Sequence, residues 1–314
     1  MNNMRKIIVG GFTLMVALAG CSDGPAKQEP TDTATSGEVN IVVDESFQKL
    51  FDNQAFTFEA IYKNAKINVS YLPENEALDR MLKDSCKVVV MCRDITAEER
   101  KSFEAQNLFP ISTKIAEDAI VFIVNPENMD TILTVDKVKS ILSGKDSTWT
   151  QLNKASQLGG INVVFDNAGS ANARYMRDTL LGGTDFSKNV FAAKSNLEVI
   201  EYVNTHKNAL GVLSVNWISD MDDSATTNIL KKVKVVAIAK DEASTPVKAY
   251  QAYIKTKEYP FTRGVYMINR QTRAGLGMGF VSFVAGDKGQ LMILKAGLVP
   301  AIAPVRLVEI NIEK

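Results

Sequence analysis

Histidine is almost missing from this 314-residue chain; His206 is the only one, set in the polar turn Asn204-Thr205-His206-Lys207-Asn208. Residues 38–314 also contain no Gly-x-Ser-x-Gly elbow. A hydrolase that needs a histidine base and a serine on a strand-to-helix turn is therefore disfavoured. Cysteine is scarce too, with Cys21, Cys86 and Cys92 and no Cys-x-x-Cys pair. Without histidine or paired cysteine, no zinc-type metal site is expected. Cys86 and Cys92 flank one apolar run, and six strand steps separate them by about 20 Å. That is far beyond the roughly 7 Å a disulfide allows, so two separate buried thiols are predicted. Charge of one sign is absent as well: Lys plus Arg and Asp plus Glu are 36 each. No basic excess supports nucleic-acid binding. Any anion held by this chain must be held by local geometry, since there is no global field to attract it.

Long apolar runs are lacking outside the N-terminus, and no segment reaches the about 20 residues that span a bilayer. The one apolar run, Ile7 to Ala17, follows Arg5 and Lys6 and leads into Leu18-Ala19-Gly20-Cys21. A positive start, a short apolar stretch and small residues before a cysteine read as a lipoprotein signal. Residues 1–20 are then removed and Cys21 carries lipid. The stretch that follows, to Gly37, is Ser, Thr, Pro, Ala, Gly, Asp and Glu with one Lys and one Gln, without a large apolar residue. Residues 21–37 are thus expected to be a flexible tether with a reach of about 20–25 Å. The expected location is a bacterial cell envelope, lipid-anchored on the periplasmic or extracellular side.

The remainder alternates strand-like and helix-like stretches, the pattern of an α/β fold. Strands are predicted at 39–43, 66–72, 87–92, 115–124, 161–165, 209–213, 233–239 and 259–268, and again from Arg306. Helices are predicted from Ser46 to Tyr62, over 74–82, from the capping box Thr96-Ala97-Glu98-Glu99 onward, over 134–143 and 172–181, over 195–204, and near the end. The extended runs 115–124 and 259–268 bracket a central block. The predicted organisation is two lobes, residues 38–118 with 261–314 and residues 119–260, with a ligand cleft between them.

The sharpest internal motif is Phe165-Asp-Asn-Ala-Gly-Ser-Ala-Asn-Ala-Arg174. A strand ends, small residues follow, and a helix opens near Ser170. The first helical N–H groups lack internal partners and carry the positive end of the helix dipole, a cradle for an anion. Ser170 and Asn172 add short polar side chains. Arg174 sits in the first turn, where a cation is unfavourable unless an anion faces it. Two other strand-to-helix turns could converge there: Asp44-Glu45-Ser46, and Cys92-Arg93-Asp94 with its bidentate guanidinium.

Several strings in order resemble the phosphate-binding protein family of ABC-type phosphate import. Met91-Cys-Arg-Asp-Ile95 with Glu99 is similar to its third-strand loop, and Ile115-Ala-Glu-Asp-Ala-Ile120 with Val124-Asn125-Pro126 to its crossover. Thr134, Ile141, Gly144-Lys145 and Trp149, with Trp149 in a turn, resemble its helix-and-tryptophan segment. Gly286 to Gln290 and Gly297-Leu-Val-Pro300 resemble its closing helices. The resemblance covers about 39–314. It implies a two-lobed periplasmic-binding-protein-like class II fold, each lobe a mixed sheet flanked by helices, that closes on an oxyanion. The implied anion ligands are Ser46, Arg93, Ser170 and Asn172, with Arg174 replacing an arginine missing from the third loop. The family's Gly-Ser-Ser/Thr loop is here Asp44-Glu45-Ser46, and Arg93 stands where some members carry a proton-accepting carboxylate.

The functional expectation is an extracytoplasmic lipoprotein that binds phosphate or a similar oxyanion and delivers it to an ABC transporter permease. It is expected to be a monomer that needs no cofactor and performs no catalysis. The alternative is an envelope sensor or scaffold of the same fold that has lost transport.

Overall fold

The computed structural model describes residues 32–271 and 274–303. The signal segment, Cys21, tether residues 21–31 and the strand expected from Arg306 lie outside the described residues. Twelve strands occur among the described residues. The first four are β1 (Gly37–Asp44), β2 (Ala65–Leu72), β3 (Val88–Met91) and β4 (Ile111–Val124). Then come β5 (Ile132–Thr134), β6 (Asn162–Phe165), β7 (Val190–Ala192) and β8 (Ala209–Ser214). The last are β9 (Lys234–Val235), β10 (Ala237–Ala239), β11 (Thr262–Asn269) and β12 (Val299–Pro300).

One sheet runs in the order β2-β1-β3-β11-β4-β8-β6-β7, with β9 and β12 also paired to β4. β1 is parallel to both β2 and β3, as strands joined through helices must be. Such strands are covered on both faces and read as continuous apolar runs. Alternation divides those runs between two cores. Ile41, Val43, Val88 and Val90 face Phe47, Leu50, Phe51 and Phe58 of the stretch entering the helix Gln48–Ile61. Val42, Val89 and Met91 face Ala77, Leu78 and Met81 of the helix Glu74–Leu82.

β4 is the strand on which the architecture turns. Its residues 111–119 pair antiparallel with β11, and its residues 120–124 pair with β8. One continuous strand therefore belongs to both halves of the sheet, and β11 returns beside it to β3. Asp118 on β4 and Arg263 on β11 lie opposite one another in this register. That places two charged residues at the seam, inside the protein.

Local signals explain most element ends. Thr96 and Glu99 form the reciprocal capping box at the start of Ala97–Glu104. Gly144 closes Val135–Ser143 in the left-handed conformation, φ +79°, where glycine alone carries no Cβ penalty. Cys86 and Cys92 are both buried free thiols.

Three details differ from the sequence reading. Residues 32–37, assigned by composition to the tether, are part of the fold. Asp32 Oδ1 accepts from the Leu276 N–H at 2.8 Å, and the Gly37 N–H donates to Asn64 O at 2.8 Å. These are polar bonds, one to a side-chain carboxylate and one between backbone groups, so apolar content does not reveal them. The single strand expected over 233–239 is two, because the Val236 N–H is the last to reach β4, at Phe122 O. The chain then steps away, and β10 pairs with β5 in a separate two-stranded sheet. Trp149 does not sit in an open turn. It begins a one-turn helix capped by Thr148 and is fully buried, its indole N–H donating to Asn208 O at 3.0 Å.

Candidate functional site

The carboxyl ends of β1, β3, β6 and β8 and the seam residues of β4 and β11 contribute one buried polar cluster. Asp44 ends β1, and its Oδ1 accepts from the Ser46 N–H at 2.9 Å, which tightens the turn into the first helix. Ser46 is fully buried, and its carbonyl accepts from Asn216 Nδ2 at 3.0 Å. Asp166 follows β6 and accepts from Asn172 Nδ2 at 3.2 Å. Ser170 is the N-cap of Ala171–Leu180, its hydroxyl accepting from the Ala173 N–H at 3.2 Å. The two N–H groups ahead of it, Ala171 and Asn172, are first-turn donors with no intrahelical acceptor. Across the seam, Arg263 Nε donates to Asp118 Oδ2 at 2.9 Å, while Ser214 donates to Asp118 Oδ1 at 2.7 Å.

The two arginines expected to grip an anion are bound by Glu74, at the edge of this cluster. Glu74, 2% exposed, accepts from Arg93 Nε at 3.0 Å and from Arg174 Nε at 2.6 Å, both on Oε1. Its Oε2 accepts from the Cys92 N–H and from Arg174 Nη2. Arg93 also forks onto Glu99 with two 2.7 Å bonds. Glu99 is thus both the N3 residue of a capping box and the clamp on Arg93. The cation left facing the cluster is Arg263, whose Nη1 and Nη2 are buried without a hydrogen-bond acceptor, although Nη2 lies 2.8 Å from Asp118 Oδ2 as an ion pair.

Burial dominates the electrostatics. It raises Asp44 to about 6, against the pull of Arg263 and with the push of Asp166 and Glu74. Burial likewise raises Asp118, against Arg263 and Ser214, and Asp166, with Glu45 adding to it. The Cys92 thiol is pushed well up by the same burial and is neutral.

Asp44, Glu74 and Cys92 bring ligand-type atoms within 4.8 Å of one another. They do not make a cation site: both Glu74 oxygens serve guanidinium and amide donors, and Arg263 presses on the same space. A groove of about 590 Å³ lies to one side, bounded by Lys49, Asp52, Asn53, Asn216, Asp220 and Asp223. Its three carboxylates outnumber its two lysines, Lys49 and Lys295, and Lys49 is already paired with Asp223, so the groove carries no free excess of positive charge for an anion.

Buried polar atoms without a hydrogen-bond partner concentrate on this cluster. Of eleven buried side-chain N and O atoms without a hydrogen-bond partner among the described residues, eight lie on this cluster and its rim. They are Asp44 Oδ2, Ser46 Oγ, Asp166 Oδ2, Asn172 Oδ1, both amide atoms of Asn196, and Arg263 Nη1 and Nη2. Asn196 opens the helix Asn196–Thr205, and its N–H donates to Glu45 Oε1 at 3.3 Å. At about 1 kcal/mol or more each, eight such atoms would offset most of a typical stability of roughly 5–15 kcal/mol. Buried water or another bound polar molecule would remove that cost.

The sequence profile of the PBP superfamily domain matches residues 28–288. The chain belongs to the PBP superfamily. Its fold is the two-lobed, class II form of that α/β architecture. Among solved structures, a phosphate-bound Clostridium perfringens protein superposes with a TM-score of 0.71 at 19% identity, covering 85% of this chain and all of that one. An ABC-type phosphate transport receptor from Vibrio cholerae gives 0.64 at 19% identity, over 84% of this chain and all of the receptor. The phosphate-binding protein PstS of Staphylococcus aureus strain USA300 is 23% identical over 288 residues, 89% of this chain and 82% of that protein.

Of the residues singled out from this PBP-superfamily sequence, Ser46, Ser170 and Asn172 are buried on the cluster, while Arg93 and Arg174 meet at Glu74. Sequence reasoning missed Arg263, Asp118, Glu74 and Asn196. Arg263 and Asp118 sit inside apolar extended runs where a charged residue needs a buried partner; that mismatch was the available signal. Glu74 offered none, because an acidic residue in a first helical turn is ordinary.

Proposed function

We propose that this protein is an extracytoplasmic solute-binding protein that holds phosphate, or an oxyanion of the same shape, between two lobes and passes it to an ABC transporter. The lobes are residues 38–118 with 261–303, and residues 119–260. Cys21 anchors the protein by lipid, and it acts as a monomer. The carrying observation is the set of orphaned donors and acceptors at the strand ends, built around a buried guanidinium that is paired with Asp118 but whose Nη1 has no acceptor. Ser46, Arg263 and the first-turn N–H groups at Ala171 and Asn172 supply donors in a dry site, where charge-assisted bonds are strong. Ser170 orders the turn that presents them. Arg93 and Arg174 act one step back: joined through Glu74, they hold the turn after β3 against the helix that opens at Ala171. No nucleophile–base pair is needed, because the task is capture and release by hinge motion.

Calorimetry of the full chain with inorganic phosphate tests this reading. We expect micromolar or tighter binding, weakened at least 100-fold in Arg263→Met. Absence of heat with any oxyanion would overturn it and favour the sensor or scaffold alternative. Labelling with radioactive palmitate in cells tests the anchor, with incorporation lost in Cys21→Ser.

A further inference from the structure

The ion pair between Glu74 and Arg174 joins residues 100 apart in the chain, one from each of the two lobes. Glu74 opens the helix Glu74–Leu82, and Arg174 lies in the first turn of Ala171–Leu180. Two helix starts therefore meet beside the buried cluster. The two sides of this contact are built differently. Glu74 is fixed from its own lobe: Arg93 Nε donates to Oε1 at 3.0 Å, the Cys92 N–H donates to Oε2 at 3.1 Å, and Arg93 forks onto Glu99. All of these residues lie within 38–118, so the carboxylate stays aimed whether or not the other lobe is docked. Arg174 has no such support. Besides Glu74, its ion-pair partner among the described residues is Asp178 on its own helix, at 3.8 Å. It spans the Glu74 carboxylate, Nε to Oε1 at 2.6 Å and Nη2 to Oε2 at 3.2 Å. A bidentate, charge-assisted contact demands one relative placement of its partners, and docking of the lobes supplies it.

A second contact crosses at the same place. The side chain of Asn75, next to Glu74, packs against Gly169 in the loop before Ser170. A Cβ on Gly169 would lie 2.6 Å from Asn75 Oδ1 and 2.9 Å from its Cγ. The φ of Gly169 is outside the left-handed region, so the backbone does not require glycine there; the approach of Asn75 does. Resting on the two-lobed, oxyanion-binding reading above, we propose that Glu74 and Asn75 on one lobe and Gly169 and Arg174 on the other form a latch that holds the lobes together over the ligand and sets how long it stays. Arg174 is thereby a positioning residue, acting on the ligand through the lobe contact and making no bond to the anion. Because Glu74 is preset, closure orders only the Arg174 side chain, which keeps the entropy cost of locking low.

A latch and a ligand-binding cation leave different kinetic signatures. Removing a cation that attracts the anion slows capture, whereas removing a latch leaves capture alone and speeds escape. Rapid mixing of the full chain with inorganic phosphate gives the association rate, and chasing radiolabelled phosphate with unlabelled gives the dissociation rate. In Arg174→Met, dissociation should be about tenfold faster, the size of one partly exposed charge-assisted contact, with association unchanged within about twofold. Glu74 keeps Arg93 and the Cys92 N–H in this variant, so no buried carboxylate is stranded and the fold is retained. Added to Glu74→Met, the same substitution should change dissociation by less than about twofold, because that latch is already broken. Gly169→Leu wedges the contact without removing a charge; it should also speed dissociation, and it decides the matter if Arg174→Met does not fold. Unchanged dissociation in Arg174→Met, slowed association, or the full effect persisting beside Glu74→Met would overturn the latch and leave the oxyanion reading standing. No binding of phosphate by the wild type would overturn both.

Discussion

Asp44→Asn should make the unliganded protein more stable at neutral pH and remove part of its pH dependence. Asp44 is enclosed at the end of β1, and burial lifts its carboxyl from an ordinary 3.8 to about 6. A raised carboxyl means that the folded state binds the proton more tightly than the unfolded chain does. Stability from this group is therefore greatest below pH 4 and is lost as pH rises through about 6, the reverse of a salt-bridged aspartate. Moving a carboxyl from 3.8 to about 6 corresponds to about 3 kcal/mol. Asparagine keeps the oxygen that accepts from the Ser46 N–H, so the turn survives and only the ionisation is lost. Urea unfolding at about pH 4 and about pH 7, in buffers free of phosphate and arsenate, provides the comparison. The stability of Asp44→Asn relative to wild type should rise by about 2.4 kcal/mol between the two pH values, because at pH 4 the unfolded carboxyl is already partly ionised. Removing this charge also relieves Asp166, which adds in the same direction. A difference between the two proteins that stays constant from pH 4 to 7 would refute the reasoning.

Three further predictions concern the frame around the site. Glu74→Ala strips one buried acceptor from two guanidinium groups and an amide; because the arginines are about a quarter exposed, the cost should be about 2–3 kcal/mol in urea unfolding, and a change under about 0.5 kcal/mol would contradict it. Gly297→Ala should destabilise by at least about 2 kcal/mol, since Gly297 has φ +81° and a Cβ there would lie 2.1 Å from the Ser219 side chain. Gly182→Ala, at φ +59° with open space around it, should cost only about 1 kcal/mol, and equal losses would show that crowding at Gly297 is relieved. Thr96→Ala should cost about 1 kcal/mol through loss of the capping box, read as a lowered urea midpoint with an unchanged slope.

The strings Val39-Asn-Ile-Val-Val43 and Val88-Val-Val-Met91 determined by themselves that parallel strands lie covered on both faces, because an apolar run without alternation has no solvent side. Local chemistry likewise determined the capping box at Thr96, the stop at Gly144 and the Ser170 cap, each of which depends only on residues a few positions away. Ser46, Ser170 and Asn172 were legible for the same reason, as polar residues at strand-to-helix turns. Their partners were not. The Arg263–Asp118 pair spans 145 residues and the Arg174–Glu74 pair 100, and only the register of β4 against β11 and the packing of two helices bring them together. The reassignment of Arg93 and Arg174 to Glu74 follows from the same fact. A guanidinium goes to whichever carboxylate the tertiary structure places beside it in a site with little water to compete. Sequence alone thus determined that polar, helix-capping turns follow the strands, while only the fold decided which charged side chains lie beside them, because those partners are distant in the chain.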